Sequence, residues 1–286
     1  MVEALFAPGL GTVGAPPAGT VLGSWGGDPG ALAAVLACVA LYVYGARRRA
    51  PTALTRGRDR CFAVAVVALL AALASPIDAA AHTLLWVHML QHMLLLAVVA
   101  PFFVLAAPLP TMQLALPRRP RRQVGRIEGR PVVRAAKRLS RSALVVGFVF
   151  SAVWWAWHAP PIYDAAVRNN LLHALEHLTM LGVALLWWAR FLGRHRSPLA
   201  QQFVLLTATM LSLNVLGALL TLAPRAVFTA YSGAYGLSAL EDQQLAGVLM
   251  WVACNFVALV LAAVLIRETL GPDEPVVHDY RLAGVR

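Results

Sequence analysis

Two pairs of histidines share one spacing. His88-Met-Leu-Gln-His92 and His173-Ala-Leu-Glu-His177 are both i, i+4, which on a helix puts each pair on one face at neighbouring turns. Two imidazoles so placed can chelate one metal ion, with further ligands from a facing helix. Met89 and Met93 flank the first pair and Met180 follows the second. Imidazole with thioether suits copper, Cu(I) especially, whereas carboxylate-rich sets suit harder ions. Glu176 lies between the histidines of the second pair on an adjacent arc, where it can ligate or orient a ligand.

Other chemistries compete for these residues. HALEH matches H-x-x-E-H, an inverted zinc-peptidase pattern in which His173 and His177 bind zinc and Glu176 activates water. A peptidase also needs a third ligand and a substrate cleft, and the direct form H-E-x-x-H fails at HMLQH, where Met89 replaces the glutamate. A b-type haem leaves the chelating spacing unexplained, because i, i+4 neighbours cannot take opposite axial positions on one iron. A copper transporter predicts interrupted helices in matching halves, and none stands out.

The elements that carry these residues are membrane helices. The chain is 59% hydrophobic and 13% charged, with mean hydropathy +0.68; a soluble domain averages about 25% charged. Seven apolar segments are predicted as spans, near Ala31–Tyr44, Cys61–Ala74, His82–Ala107, Ser142–His158, Leu171–Leu192, Ala200–Ala223 and Gln243–Ile266. The first two are short for a span of ~20 residues, and flanking arginines can snorkel to complete them. Pro101 predicts a kink in the third. The expected fold is an all-α polytopic bundle: a flexible outer tail over 1–30, a seven-helix domain over 31–266 and a cytoplasmic tail over 267–286. The opening MVEALFAPGLG lacks a basic n-region, so no cleaved signal peptide is expected. Cys38, Cys61 and Cys254 have no C-x-x-C spacing and read as small core residues.

Charge sets the orientation. The net charge is +11, and Lys137 is the only lysine. Alternate connections hold 22 of the 24 basic residues, leaving Arg168 and Arg225 on the other side. That split predicts an outside N-terminus and a cytoplasmic C-terminus. PRRPRRQVGRIEGR then reads as a cytoplasmic loop touching anionic lipid, with no nucleic-acid partner.

Orientation turns the histidines into a depth map. Counting inward at ~1.5 Å per residue from the outer boundary, His88 lies roughly 9 Å deep, His92 roughly 15 Å, His173 about 3 Å, His177 about 9 Å, and Met250 about 10 Å. His82 and His158 fall at the outer interface; His195 and His278 fall on the cytoplasmic side. A single intramembrane histidine can simply hydrogen-bond across helices, and each methionine can be ordinary packing. Two chelating pairs at matched depth point beyond that, because ionisable groups in lipid are costly and functional. Asp78, Asp164 and Asp242 also reach the outer side; Asp164 and Asp242 have an alternative role as helix N-caps.

Three stretches carry a family likeness. SPIDAAAHTLLWVHMLQHMLLLAVVAPFFVLAAP, WHAPPIYDAAVRNNLLHALEHLTMLGVALLWW and EDQQLAGVLMWV together resemble the CtaG-type assembly proteins of cytochrome c oxidase, from about the second predicted helix to the seventh. The matching positions are Asp78, His88, Gln91, His92, Pro101, Pro108, His158, Tyr163, Asp164, His173, Glu176, His177, Asp242, Gln243, Gln244, Gly247, Met250 and Trp251. The resemblance implies a multi-pass protein of the bacterial cytoplasmic membrane that helps form active haem–copper oxidase.

Together these readings give a copper site at the outer face. Its expected ligands are His88, His92, His173 and His177, with Met89, Met93 and Met250 as soft ligands; Glu176, Asp242, Asp78, His158 and Asp164 stand around them. The role is binding and assembly without turnover, with an oxidase subunit or another assembly factor and membrane lipid as partners, and self-association left open. A zinc-dependent intramembrane peptidase and a metal-free scaffold are the alternatives.

Overall fold

The computed structural model describes residues 23–25, 27–193 and 196–270, with only the backbone placed at residue 118. His195, His278 and most of both predicted tails lie outside these residues. Among the described residues all regular structure is helical, in twelve helices. They are α1 (Pro29–Ala46), α2 (Ala53–Leu73), α3 (Pro76–Ala81), α4 (Leu85–Ala106), α5 (Pro108–Ala115), α6 (Arg118–Glu128), α7 (Pro131–Leu139), α8 (Ala143–Trp157), α9 (Pro160–Arg168), α10 (Asn170–Leu192), α11 (Leu199–Leu222) and α12 (Ala239–Leu270).

Five of the seven predicted spans have the length and hydropathy of a crossing helix: α1, α4, α10, α11 and α12. The other two do not reach that length and hydropathy alone, for separate reasons. α2 is 21 residues long, but Arg56, Arg58, Asp59 and Arg60 occupy its early turns. α8 has only 15 residues and meets α7 at a bend of 86°. Large apolar side chains face outward, among them Leu171 at 79% exposed and Phe148 at 75%, as expected of helices that meet lipid. The basic connection ahead of α8 is itself helical, forming α6 and α7. Straight-chain arginines, Gln123 and Glu128 are good helix formers, and Lys137 Nζ reaches back 3.3 Å to Glu128.

Local sequence starts most spans. Asp28 caps α1 through the Ala31 N–H at 2.8 Å. Thr52 and Thr55 close a reciprocal capping box on α2. Asn169 accepts from the Leu171 and Leu172 N–H groups to begin α10. Ser238 and Glu241 cap α12 in the same reciprocal way. Each such cap satisfies donors that a helix end leaves orphaned. α4 has none of its own: Leu84 precedes it and supplies no side-chain cap.

α4 is central, packed against α2, α10 and α12, while α8 fills the space beside α10 and α11. Just before Pro101, where a kink is predicted, α4 takes one π-helical turn, Leu95–Val99. Trp188 on α10 donates its indole N–H to the Leu96 carbonyl at 2.7 Å, so the altered turn is tied to the neighbouring helix. The main apolar cluster includes Met89 and Met93 of α4, Phe150 and Trp154 of α8, Trp187 of α10, Leu213 of α11, and Met250 and Cys254 of α12. Cys254 is a core residue as predicted; Cys38 is exposed, which corrects the reading of all three cysteines as core.

α11 and α12 meet backbone to backbone. A Cβ on Gly247 would stand 2.4 Å from Thr221 Oγ1 and 2.7 Å from the Gly217 carbonyl oxygen, the close approach that small residues permit between membrane helices. Gly247→Leu should therefore separate the pair. Overpacking of this kind costs about 1–3 kcal/mol, and thermal unfolding in detergent should fall accordingly. An unchanged midpoint would show that the contact is looser than described.

Candidate metal centre

The histidine pairs face each other across the α4–α10 contact. Within α4 the His88 and His92 rings are 4.4 Å apart, and within α10 the His173 and His177 rings are 4.3 Å apart. Across the contact, His88 Nε2 lies 3.1 Å from His173 Nε2, and the His92 and His177 rings are 5.1 Å apart. Glu176 is fully buried between them, its Oε1 3.6 Å from His92 Nε2. Two trios can each surround an ion: His88, His173 and His177, or His88, His92 and Glu176, with donor atoms within 4.8 Å of one another. His88 belongs to both.

Hydrogen bonding orients the His88 ring. The Tyr231 hydroxyl donates to the Ala81 carbonyl at 3.0 Å, so its oxygen is left to accept from His88 Nδ1–H, also at 3.0 Å. The Tyr163 hydroxyl lies 2.7 Å from the same nitrogen. Burial pushes the Tyr231 hydroxyl well above its ordinary range, so it keeps its proton. With Nδ1 engaged by both hydroxyls, Nε2 is the nitrogen that His88 turns to the cluster. His158 is set the same way: Nδ1 donates to the Trp154 carbonyl at 2.8 Å, and Nε2 is left free 6.2 Å, ring to ring, from His92.

Several buried atoms here lack any hydrogen-bond partner: both ring nitrogens of His92, both oxygens of Glu176, and Nε2 of His177 and His158. Buried polar atoms are nearly always paired. Such a group, in which each side chain can offer a lone pair and which converges from α4, α10 and the end of α8, fits a metal cation that would satisfy several at once. Neutral imidazoles with one carboxylate suit a transition metal better than Mg²⁺ or Ca²⁺.

The other predicted site residues are placed differently. Asp242 sends both carboxylate oxygens to another helix, accepting from the Leu85 N–H at 2.9 Å and the Trp86 N–H at 3.0 Å. The missing cap of α4 is thus supplied from α12, one turn before His88. Asp78 accepts from Gln91 Nε2 at 2.9 Å, and Gln91 also donates to the Ala72 carbonyl; this pair holds the register of α4 against α2 and α3. Met89, Met93 and Met250 pack in the main apolar cluster. His82 is exposed, with its ring 5.7 Å from His173, whereas His158, predicted at the same level, is buried.

Asp164 lies outside the cluster. Its carboxylate accepts from the Thr229 N–H and hydroxyl and from the Ala230 N–H, pinning the segment that carries Tyr231. Burial pushes this carboxyl up, but the hydrogen bonds and the nearby Arg168 outweigh it and hold it below its ordinary 3.8. A depressed carboxyl adds stability that is complete above its unfolded value and lost as pH falls through the folded one. Acidification below about 4 should release this segment first, read as faster amide exchange at Thr229 and Ala230 while the α4 amides stay protected. Simultaneous loss would show that the anchor is not local.

Tyr163 and Tyr231 are the residues that sequence reasoning did not place at the site. Tyr163 stood among the family-like positions without a role. Tyr231 had one available signal: with Phe228 it puts large aromatic residues in a connection between spans, and both are buried.

A cavity of about 600 Å³ reaches the cluster from the side. It is lined by Asp28, Asp78, His82, Asn170, His173 and His177 at its polar end. Among known protein families, the model described as cytochrome c oxidase caa3 assembly factor matches residues 40–271. No curated protein and no solved structure matches the chain.

Proposed function

We propose, from the premise that this chain belongs to the cytochrome c oxidase caa3 assembly factor family, that it assists oxidase assembly by holding copper between α4 and α10. The observation that carries this reading is the convergence of His88, His92, His173, His177 and Glu176, with buried lone pairs that no protein group satisfies. Bound copper would supply a store of the metal that the oxidase centre needs, and the protein would perform no turnover of its own. The ion, as Cu(I), would be held by imidazole nitrogens, and Glu176 would balance its charge. The distribution of arginines favours an outside N-terminus and an outer-face site in a bacterial cytoplasmic membrane, on the side where an oxidase subunit or another assembly factor would receive the metal.

One ion is favoured over two. The two trios share His88, and its Nδ1 is engaged by Tyr163 and Tyr231. Only Nε2 can bind, so filling one trio empties the other. The zinc-peptidase alternative fares worse on the geometry. Glu176 is wholly buried, and the cavity is lined by His173 and His177 rather than by Glu176, so the base that must activate water does not meet the space a substrate would enter.

The test is metal content of protein purified from copper-replete and zinc-replete cells, with Glu176→Gln alongside. Copper that survives Glu176→Gln supports the proposal. Zinc, together with a proteolytic activity abolished by the same change, would establish the peptidase. Absence of either metal would leave a scaffold whose histidines are structural.

A further inference from the structure

The copper centre is closed on most sides. His88 and His92 are each 1% exposed and Glu176 is 0% exposed, so an ion needs a route in. The lateral cavity provides one, because it touches His173 and His177 and extends to His82. His82 is exposed, and nothing above gives it a role.

Ring spacing links His82 to the centre. Two imidazoles sharing an ion at metal–nitrogen distances of ~2.0 Å place their ring centres roughly 5–6 Å apart. The His82–His173 separation is 5.7 Å, His173–His88 is 4.9 Å and His88–His177 is 5.6 Å. An ion can therefore step from one pair to the next by exchanging one neutral imidazole for another, with no change of oxidation state and without losing all its ligands. The backbone at His82 is also held in place. It follows α3 directly, and α3 is tied down by the Asp78–Gln91 hydrogen bond and by the Tyr231 hydroxyl on the Ala81 carbonyl.

The cavity has a defined outer wall. α1 begins over it, with Asp28, Pro29, Ala31 and Ala34 lining the space. Gly27 adopts φ +141°, and a Cβ there would stand 2.4 Å from the Leu73 carbonyl oxygen, so the chain is drawn close across the end of α2 at the point where α1 starts. Ala174 faces the same cavity between the two α10 histidines. A large side chain at that position would fill the passage while leaving every imidazole in place.

We infer that His82 is a loading ligand, which with His173 captures copper at the cavity mouth and passes it inward to His88 and His177. This rests on the reading of the cluster as a copper site. The inference concerns the rate of loading and leaves the holding site itself unchanged.

Detergent-purified, metal-free full-length protein is mixed with Cu(I) held by a chromophoric chelator, and uptake is followed as the chelate colour decays. The wild type should load one equivalent. His82→Ala should reach the same end point roughly tenfold more slowly, the scale on which losing a group that guides a metal acts. Ala174→Trp should slow loading similarly, with all histidines intact. Because both positions are exposed, folding of the variants is not at issue, and equal end points confirm it. If His82→Ala loads at the wild-type rate, copper enters elsewhere and the inference falls while the holding site stands. If the wild type takes up no copper, the holding site falls and the loading role with it.

Discussion

His88→Ala is expected to remove copper binding, with a loss of affinity beyond the ten- to hundredfold that follows from deleting a group that only orients a ligand. The reason is topological as much as chemical. His88 is common to both trios, so no alternative arrangement of the remaining residues recovers three donors of the same kind around one point. His92→Ala and His173→Ala should be milder, since each leaves one trio intact. Equilibrium competition against a Cu(I) chelator measures all three. Tyr231→Phe provides a second comparison: it keeps every imidazole but removes one partner of His88 Nδ1, so affinity should fall by less than in His88→Ala. Equal losses in His88→Ala and His92→Ala would mean that the ion does not pivot on His88.

Asp242→Ala should be the most destabilising single change at this end of the bundle. Its carboxylate is the only side-chain cap found at the start of α4 among the described residues, accepting from Leu85 and Trp86. Without it two helix-terminal N–H groups lose their partners in a buried setting. Two charge-assisted hydrogen bonds at the lower end of their range amount to about 3 kcal/mol. Asp242→Asn retains one acceptor oxygen but turns an NH2 group towards an N–H, so it should recover part of the loss. Because His88 begins the next turn of α4, copper affinity should fall alongside stability, by roughly tenfold or more. Thermal unfolding with and without Cu(I) separates the two effects. A variant with full stability and weakened copper binding would show that Asp242 acts on the metal rather than on the helix.

Much of this arrangement was legible in the sequence, and the parts that were not have physical causes. The i, i+4 spacing fixed which histidines share a face, and the H-x-x-E-H pattern placed Glu176 beside them. Both are local properties of a helix. Which faces meet is not local, so the pairing of His88 with His173, 85 residues away, had to come from the fold. Asp242 illustrates the same limit. A carboxylate at the start of an apolar helix reads as a cap for that helix, yet it caps α4, 157 residues earlier in the chain. Two predicted spans fall short of a crossing helix taken alone: α8 has 15 residues and passes only together with α7, across a bend of 86°, and α2 carries four charges in its early turns, ahead of the predicted apolar stretch. Met89 and Met93 were read from their place beside the histidines and Met250 from its depth, and neither signal says which arc of a helix faces a neighbour. Met89 and Met93 each follow a histidine by one residue, about 100° round the helix, and that arc belongs to the apolar cluster.

The account rests on one ion held by the facing histidine pairs. X-ray absorption at the copper edge, on protein loaded to saturation and quantified for metal per chain, tests that claim most directly. It predicts one copper per chain with a first shell of nitrogen or oxygen only, including the outer-shell scattering of imidazole rings. Two ions per chain, a shell dominated by sulfur, or no bound copper would contradict it.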